Sequence, residues 1–253
     1  MESARKAQIG AAFAAAAPRY DEGAHVQRLV AQRLAARAGS AQIAPDADIL
    51  EIGCGTGLLT REIRQTWPLA RLTATDIAPE MIAATARHDL GARLIVMDGE
   101  APELCDERFD LILSSLTFQW FDDLPRGLMR LHALLKPGGM LCFATMGAES
   151  FASWREAHER AGESAGLRAY PSRDQLEAML EPFPHADVNE ESIALPEQGG
   201  QALIRHFRAI GAQVPRPDHR PLAPAALRRV INLFDEAGGT ASYHILYGSL
   251  QHD

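Results

Sequence analysis

The string Glu51-Ile-Gly-Cys-Gly-Thr-Gly57 constrains this 253-residue chain more than any other. It follows a short apolar stretch, Asp48-Ile49-Leu50-Glu51-Ile52, and precedes a helix-like run from Leu58 to Trp67 that Pro68 closes. Alternating glycines let a backbone turn through positive φ and come close to a ligand. The N–H groups at the start of the following helix have no partners of their own. Such a turn can cradle a phosphate, a carboxylate or a ribose. The spacing is not the dinucleotide fingerprint GxGxxG, whose third glycine would fall at position 58, a leucine here.

The alternation continues along the chain. Arg71–Thr75, Arg93–Met97, Phe109–Ser114 and Met140–Thr145 read as further strands, with helices at Pro79–His88 and Leu124–Leu135 between them. Short connections between alternating elements imply a parallel sheet with helices on both faces and right-handed crossovers. In such sheets a ligand sits beyond the carboxyl ends of the strands, at the switch point. Two acids stand there besides the glycines. Asp76 ends the second strand, where it suits hydrogen bonds to a ribose diol, and Asp98 ends the third, placed to accept from an exocyclic amine. Each alone is more often a helix cap or a solvated loop residue; three features at successive strand ends exceed what composition arranges by itself.

Helices are expected at 1–17 and 22–38 before this core. After residue 150, helices are expected at 150–165, 172–181, 200–211 and 223–236, with strands at 186–195 and 243–250. The chain reads as one domain: a leader (1–45), a core (46–195), a proline-rich substrate cap inserted before the last strand (196–240), and that strand with the residues after it (241–253).

Composition excludes several classes. A hydrophobic fraction of 47% and a charged fraction of 23% rule out wholesale disorder and a coiled-coil rod. The net charge of −8 argues against a nucleic-acid partner held by phosphate attraction. Cys54, Cys105 and Cys142 form no CxxC pair, and the nine histidines show no HExxH spacing, so neither a disulfide framework nor a metal site is expected. No apolar run approaches the ~20 residues of a bilayer span. The Ala-rich stretch Ala11–Ala17 is too weakly hydrophobic for a signal peptide, which leaves a cytoplasmic protein as the expectation.

From about residue 45 to 146 the chain resembles the class I S-adenosylmethionine-dependent methyltransferases. The resemblance implies a Rossmann-like α/β fold with a seven-stranded, mostly parallel sheet and a reversed last strand. It implies S-adenosyl-L-methionine as cofactor, with Glu51, Gly53, Gly55 and Gly57 in the loop around its methionine part. Asp76 would bind its ribose, Ile77 would lie against the adenine, Asp98 and Gly99 would reach the adenine amine, and the backbone around Ser114 would face the methionine end.

Two strings narrow the resemblance: Phe13…Ala16-Ala17…Tyr20-Asp21…Gln27 ahead of the core, and Leu116-Thr-Phe-Gln119-Trp120 after the fourth strand. With Phe143-Ala-Thr-Met146, Phe207-Arg-Ala-Ile-Gly211-Ala212 and Tyr243-His244-Ile-Leu-Tyr247-Gly248, they look like the malonyl-acyl-carrier-protein O-methyltransferases of biotin synthesis. Ser115 stands where that family usually has Asn. The Gln-Trp string is shared with trans-aconitate-type methyltransferases, which esterify small carboxylic acids; a non-catalytic scaffold of this fold is the other alternative. Either esterification acts on a carboxylate, which is already ionised and needs no general base.

Tyr20, Gln119 and Trp120 are the candidates to frame the acceptor. Arg205 or Arg208, with Tyr243 and His244, are candidates on the substrate side. Residues 201–230 hold six arginines against the single acid Asp218, a basic surface suited to an acidic carrier protein.

Overall fold

The computed structural model describes residues 2–104, 106–216 and 219–253; Cys105 and Asp218 lie outside them. A helical leader comes first: α1 (Glu2–Ala16), α2 (Tyr20–Gly23) and α3 (His25–Gly39). The core then runs β1 (Asp48–Ile52), α4 (Leu58–Thr66), β2 (Arg71–Asp76), α5 (Pro79–Ala86), β3 (Arg93–Val96), β4 (Phe109–Ser115), a single 3₁₀ turn (Phe118–Trp120), α6 (Leu124–His132) and β5 (Leu135–Met146). After it come α7 (Ala152–Arg160), α8 (Arg173–Leu180), β6 (Asp187–Ala194), α9 (Gly200–Ala209), α10 (Pro224–Glu236) and β7 (Ser242–Gln251).

The seven strands form one sheet in the order β3-β2-β1-β4-β5-β7-β6. Every pairing is parallel except those of β7, which runs antiparallel to both β5 and β6. The strand order reverses direction between β1 and β4, so their carboxyl ends open the crevice where ligands bind in such sheets.

Strand side chains alternate between two faces, and both faces are covered. Ile49, Leu111, Leu113, Ala144 and Ile245 pack into one core with α3, α4, α7, α9 and α10. Leu50, Ile112, Leu141, Phe143 and Leu246 pack into the other, with Leu128 and Leu131 of α6 and Leu176 of α8. Sheets buried on both faces are built from such continuous apolar runs.

Several boundaries differ from the expectation. The helix expected at 22–38 is broken at Ala24 into α2 and α3, and the one expected at 150–165 runs only from Ala152 to Arg160. α6 ends at His132 rather than 135, and β5 begins at Leu135, because Leu135 pairs with Phe109 before the Pro137-Gly-Gly stretch shifts the register.

Candidate active site

Two adjoining cavities open at the carboxyl ends of β1, β2 and β4. The smaller, of about 100 Å³, is lined by Gly53, Gly55, Asp76, Ile77, Asp98 and Gly99, among others. Backbone geometry shapes it. Gly53 (φ +74°) and Gly55 (φ +55°) hold the loop in the left-handed region, and the N–H groups of Gly53 and Cys54 both donate to the Thr75 carbonyl at 2.8 Å. A Cβ at Gly55 would meet nothing within 4 Å and would project into open space.

The Asp76 carboxylate accepts from the N–H groups of Gly55 and Ala78, each at 2.9 Å. Burial raises its pKa and these backbone donors oppose the rise. A carboxylate oxygen carries two acceptor sites, so each still has one to offer.

The leader covers this cavity. Lys6, Ile9 and Phe13 of α1, spaced by three and four residues and hence on one helix face, all line it. Lys6 Nζ lies 2.6 Å from Asp98 Oδ2 and 2.7 Å from Glu100 Oε2. Asp98 also accepts from the Glu100 N–H at 3.0 Å. Arg5 pairs with Asp122. Nothing in the sequence signalled Lys6, because its partners lie 92 and 94 residues away.

The larger cavity, of about 430 Å³, is lined mostly by apolar and aromatic side chains, with Tyr20, Gln119, Trp120, Arg208 and Tyr243 among them. Phe13, Tyr20, Leu116 and Trp120 line both cavities and form the wall between them. Phe13 meets Trp120 edge-on, with ring centroids 5.3 Å apart. Leu116 takes φ +53°, rare for a residue with a Cβ. Gln119 holds that backbone in place: its Nε2 donates to the Leu116 carbonyl at 2.6 Å, and its Oε1 accepts from Thr145 at 3.4 Å. Both ends of its amide are thus engaged, which makes it a brace for the wall.

Tyr20 is seated by its neighbour. Asp21 accepts from the Thr56 hydroxyl at 2.5 Å, tying α2 to the glycine loop. Shelter from water, with the charges of Asp76 and Asp21, raises the Tyr20 pKa well above that of an ordinary phenol. It remains a protonated donor, and its hydroxyl makes no hydrogen bond among the described residues.

Five sequence candidates fall outside both cavities. Glu51 lies fully buried beneath the loop, where burial pushes its pKa up to about 8. Gly57 (φ +88°) caps α4 and faces Thr85 and His88. Ser114 points to the opposite face of β4 and donates to the Ile52 carbonyl at 2.9 Å, so Ser115 lines the cavity instead. His244 follows Tyr243 on a strand and therefore faces the other way, 2.9 Å from Glu190. Arg205 is exposed on α9, whereas Arg208 reaches the mouth. Tyr243 is buried in the pocket wall, accepting from Gln27 Nε2 at 3.3 Å and lying 2.7 Å from His206 Nε2.

Comparison with known proteins agrees with this architecture. A methyltransferase-domain family model matches residues 50–143. The chain is 42% identical to the biotin biosynthesis bifunctional protein BioCD of Bordetella avium over 95% of its own length, and spans about half (51%) of that longer relative. It is 39% identical to the malonyl-[acyl-carrier protein] O-methyltransferase of Magnetococcus marinus, over 98% of this chain and 93% of the relative. The plantazolicin methyltransferase BpumL, solved in complex with SAH, shares the fold at a TM-score of 0.58 and 17% identity, covering 99% of this chain and 96% of that one. With near-complete mutual coverage at 39% identity, the chain belongs to the malonyl-[acyl-carrier protein] O-methyltransferase family.

Proposed function

We propose that this chain transfers a methyl group from S-adenosylmethionine to the free carboxylate of a malonyl thioester on acyl carrier protein, in biotin synthesis. The observation that carries the reading is the pair of cavities meeting at one wall, with Tyr20, a protonated phenol, as the only titratable group in it among the described residues.

The smaller cavity suits the cofactor. Gly53 and Gly55 leave room for close approach, Asp76 offers spare acceptor sites for a diol, and Ile77 and Met81 supply apolar surface. Bound there, S-adenosylmethionine supplies an activated methyl group. The protein's part is to place the acceptor and exclude water. Phe13 and Trp120 close the wall, Gln119 holds the strained Leu116 turn, and Tyr20 offers one hydrogen bond at the junction. A carboxylate is ionised near neutral pH and needs no base. Orientation within a dry site can supply up to ~7–11 kcal/mol.

In this reading the leader (1–45) is the cover of the cofactor cleft and residues 196–240 are the substrate cap. The exposed arginines of 201–230 face an acidic carrier, Arg208 standing at the mouth. Among the described residues no helix is long and apolar enough to cross a membrane, and Cys54 and Cys142 are free thiols, which suits a cytoplasmic setting.

Radiolabelled cofactor offered with malonyl-acyl carrier protein, malonyl-coenzyme A and free dicarboxylates tests the reading. Label is expected on the carrier-bound acid first. Preferential labelling of a free acid would replace it with the small-acid reading.

A further inference from the structure

The larger cavity is charged in one sense only. Among the described residues lining it there is no aspartate or glutamate, while two arginines, Arg168 and Arg208, are present. Arg208 is exposed at the mouth, but Arg168 is half-buried in the irregular segment between α7 and α8. Its guanidinium carbon lies 5.4 Å from the centroid of the Trp120 ring, on the wall shared with the cofactor cavity. One Nη2 donates to the Phe121 carbonyl at 3.2 Å. No carboxylate pairs with Arg168 among the described residues. A guanidinium carries five N–H donors in a planar fork, so this one keeps most of its fork for a ligand.

Resting on the carboxylate reading above, the structure assigns Arg168 as the anchor of the acceptor's free carboxylate, the residue that selects an acidic acyl group over a neutral one. Trp120 steadies the cation by its ring face and Phe121 fixes its plane. In a pocket this apolar, a charge-assisted fork is stronger than in water. A neutral acyl group of the same length leaves the guanidinium unpaired, and a site built for a polar partner discriminates strongly against ligands lacking it. Esterification cancels the negative charge, so the anchor holds the acid and releases its ester.

The test measures kcat/KM for malonyl-acyl carrier protein and the inhibition constant of its methyl ester, in the wild type, Arg168→Gln and Arg168→Lys. Arg168→Gln is expected to lose about 30–100-fold in kcat/KM. The ester's inhibition constant and S-adenosylhomocysteine affinity stay near wild type. Arg168→Lys, keeping charge without the fork, falls between. A loss shared equally by acid and ester would show a merely structural role and overturn the assignment. So would full activity in Arg168→Gln. If the wild type left malonyl-carrier unmethylated, the proposed function itself would fall, and this anchor with it.

Discussion

A methyl group added at Gly53 would overlap the side chain of Thr117, and the backbone there is held at φ +74°. Left-handed geometry costs a residue with a Cβ roughly 1–2 kcal/mol before any clash. Gly53→Ala is therefore expected to weaken S-adenosylhomocysteine binding at least about tenfold by calorimetry; unchanged affinity would remove the loop from the cofactor site. Tyr20 has a different signature, since its hydroxyl is free. Tyr20→Phe is expected to lower kcat by about tenfold, the worth of one hydrogen bond, with cofactor affinity intact. Glu51 links the same loop to pH. Its pKa rises from 4.5 to about 8, burial being the main cause. A raised folded pKa means that the acid's contribution is whole below pH 4.5 and is lost as pH climbs through about 8. Glu51→Gln should thus melt near wild type at pH 5 and above it at pH 9. The positions of Gly53, Gly55 and Asp76 at the smaller cavity were legible because they follow from local spacing at strand ends. Ser114 was not distinguishable from Ser115 until the face of β4 was known, and Arg168 gave no signal because its partner Trp120 is 48 positions away.

At the scale of elements, most strands and helices fall within a few residues of where periodicity puts them, because both sheet faces are apolar and proline or glycine marks most turns; the start of β5 and the end of α7 each differ by five residues. The packing of the leader was less legible. α1 is rich in alanine, and what seats it is a set of distant pairs: Lys6 with Asp98 and Glu100, and Phe13 with Trp120. α2 is only four residues long and depends on the Asp21–Thr56 bond. Asp21→Ala is expected to speed amide exchange through residues 4–23 while leaving β1, β4 and β5 protected. Equal protection before and after would mean that apolar contacts alone seat the leader.

Over the whole molecule the charge is unevenly divided. Residues 1–45 hold six basic groups against three acidic ones, and 201–230 six against one, within a chain of net −8. The acidity therefore belongs to the rest of the chain, and the leader and residues 201–230, which the proposed function puts around the substrate, are basic. Attraction between exposed charges fades as ionic strength rises. kcat/KM for the carrier-bound acid should fall steeply between low and high salt, while a malonyl-pantetheine thioester, too small to reach the basic face, should change little. Parallel slopes for the two would place the carrier's contact elsewhere. The sheet order carries a consequence for biosynthesis as well. β7 is translated after β6 yet lies between β6 and β5. On the ribosome, β1 through β5 can assemble as they emerge, but β6, whose one strand partner among the described residues is β7, must wait for residues 242–251. Tyr243, a wall of the larger cavity, arrives with that last strand. A nascent chain would hold the smaller cavity first and complete the larger one only in the closing step of synthesis.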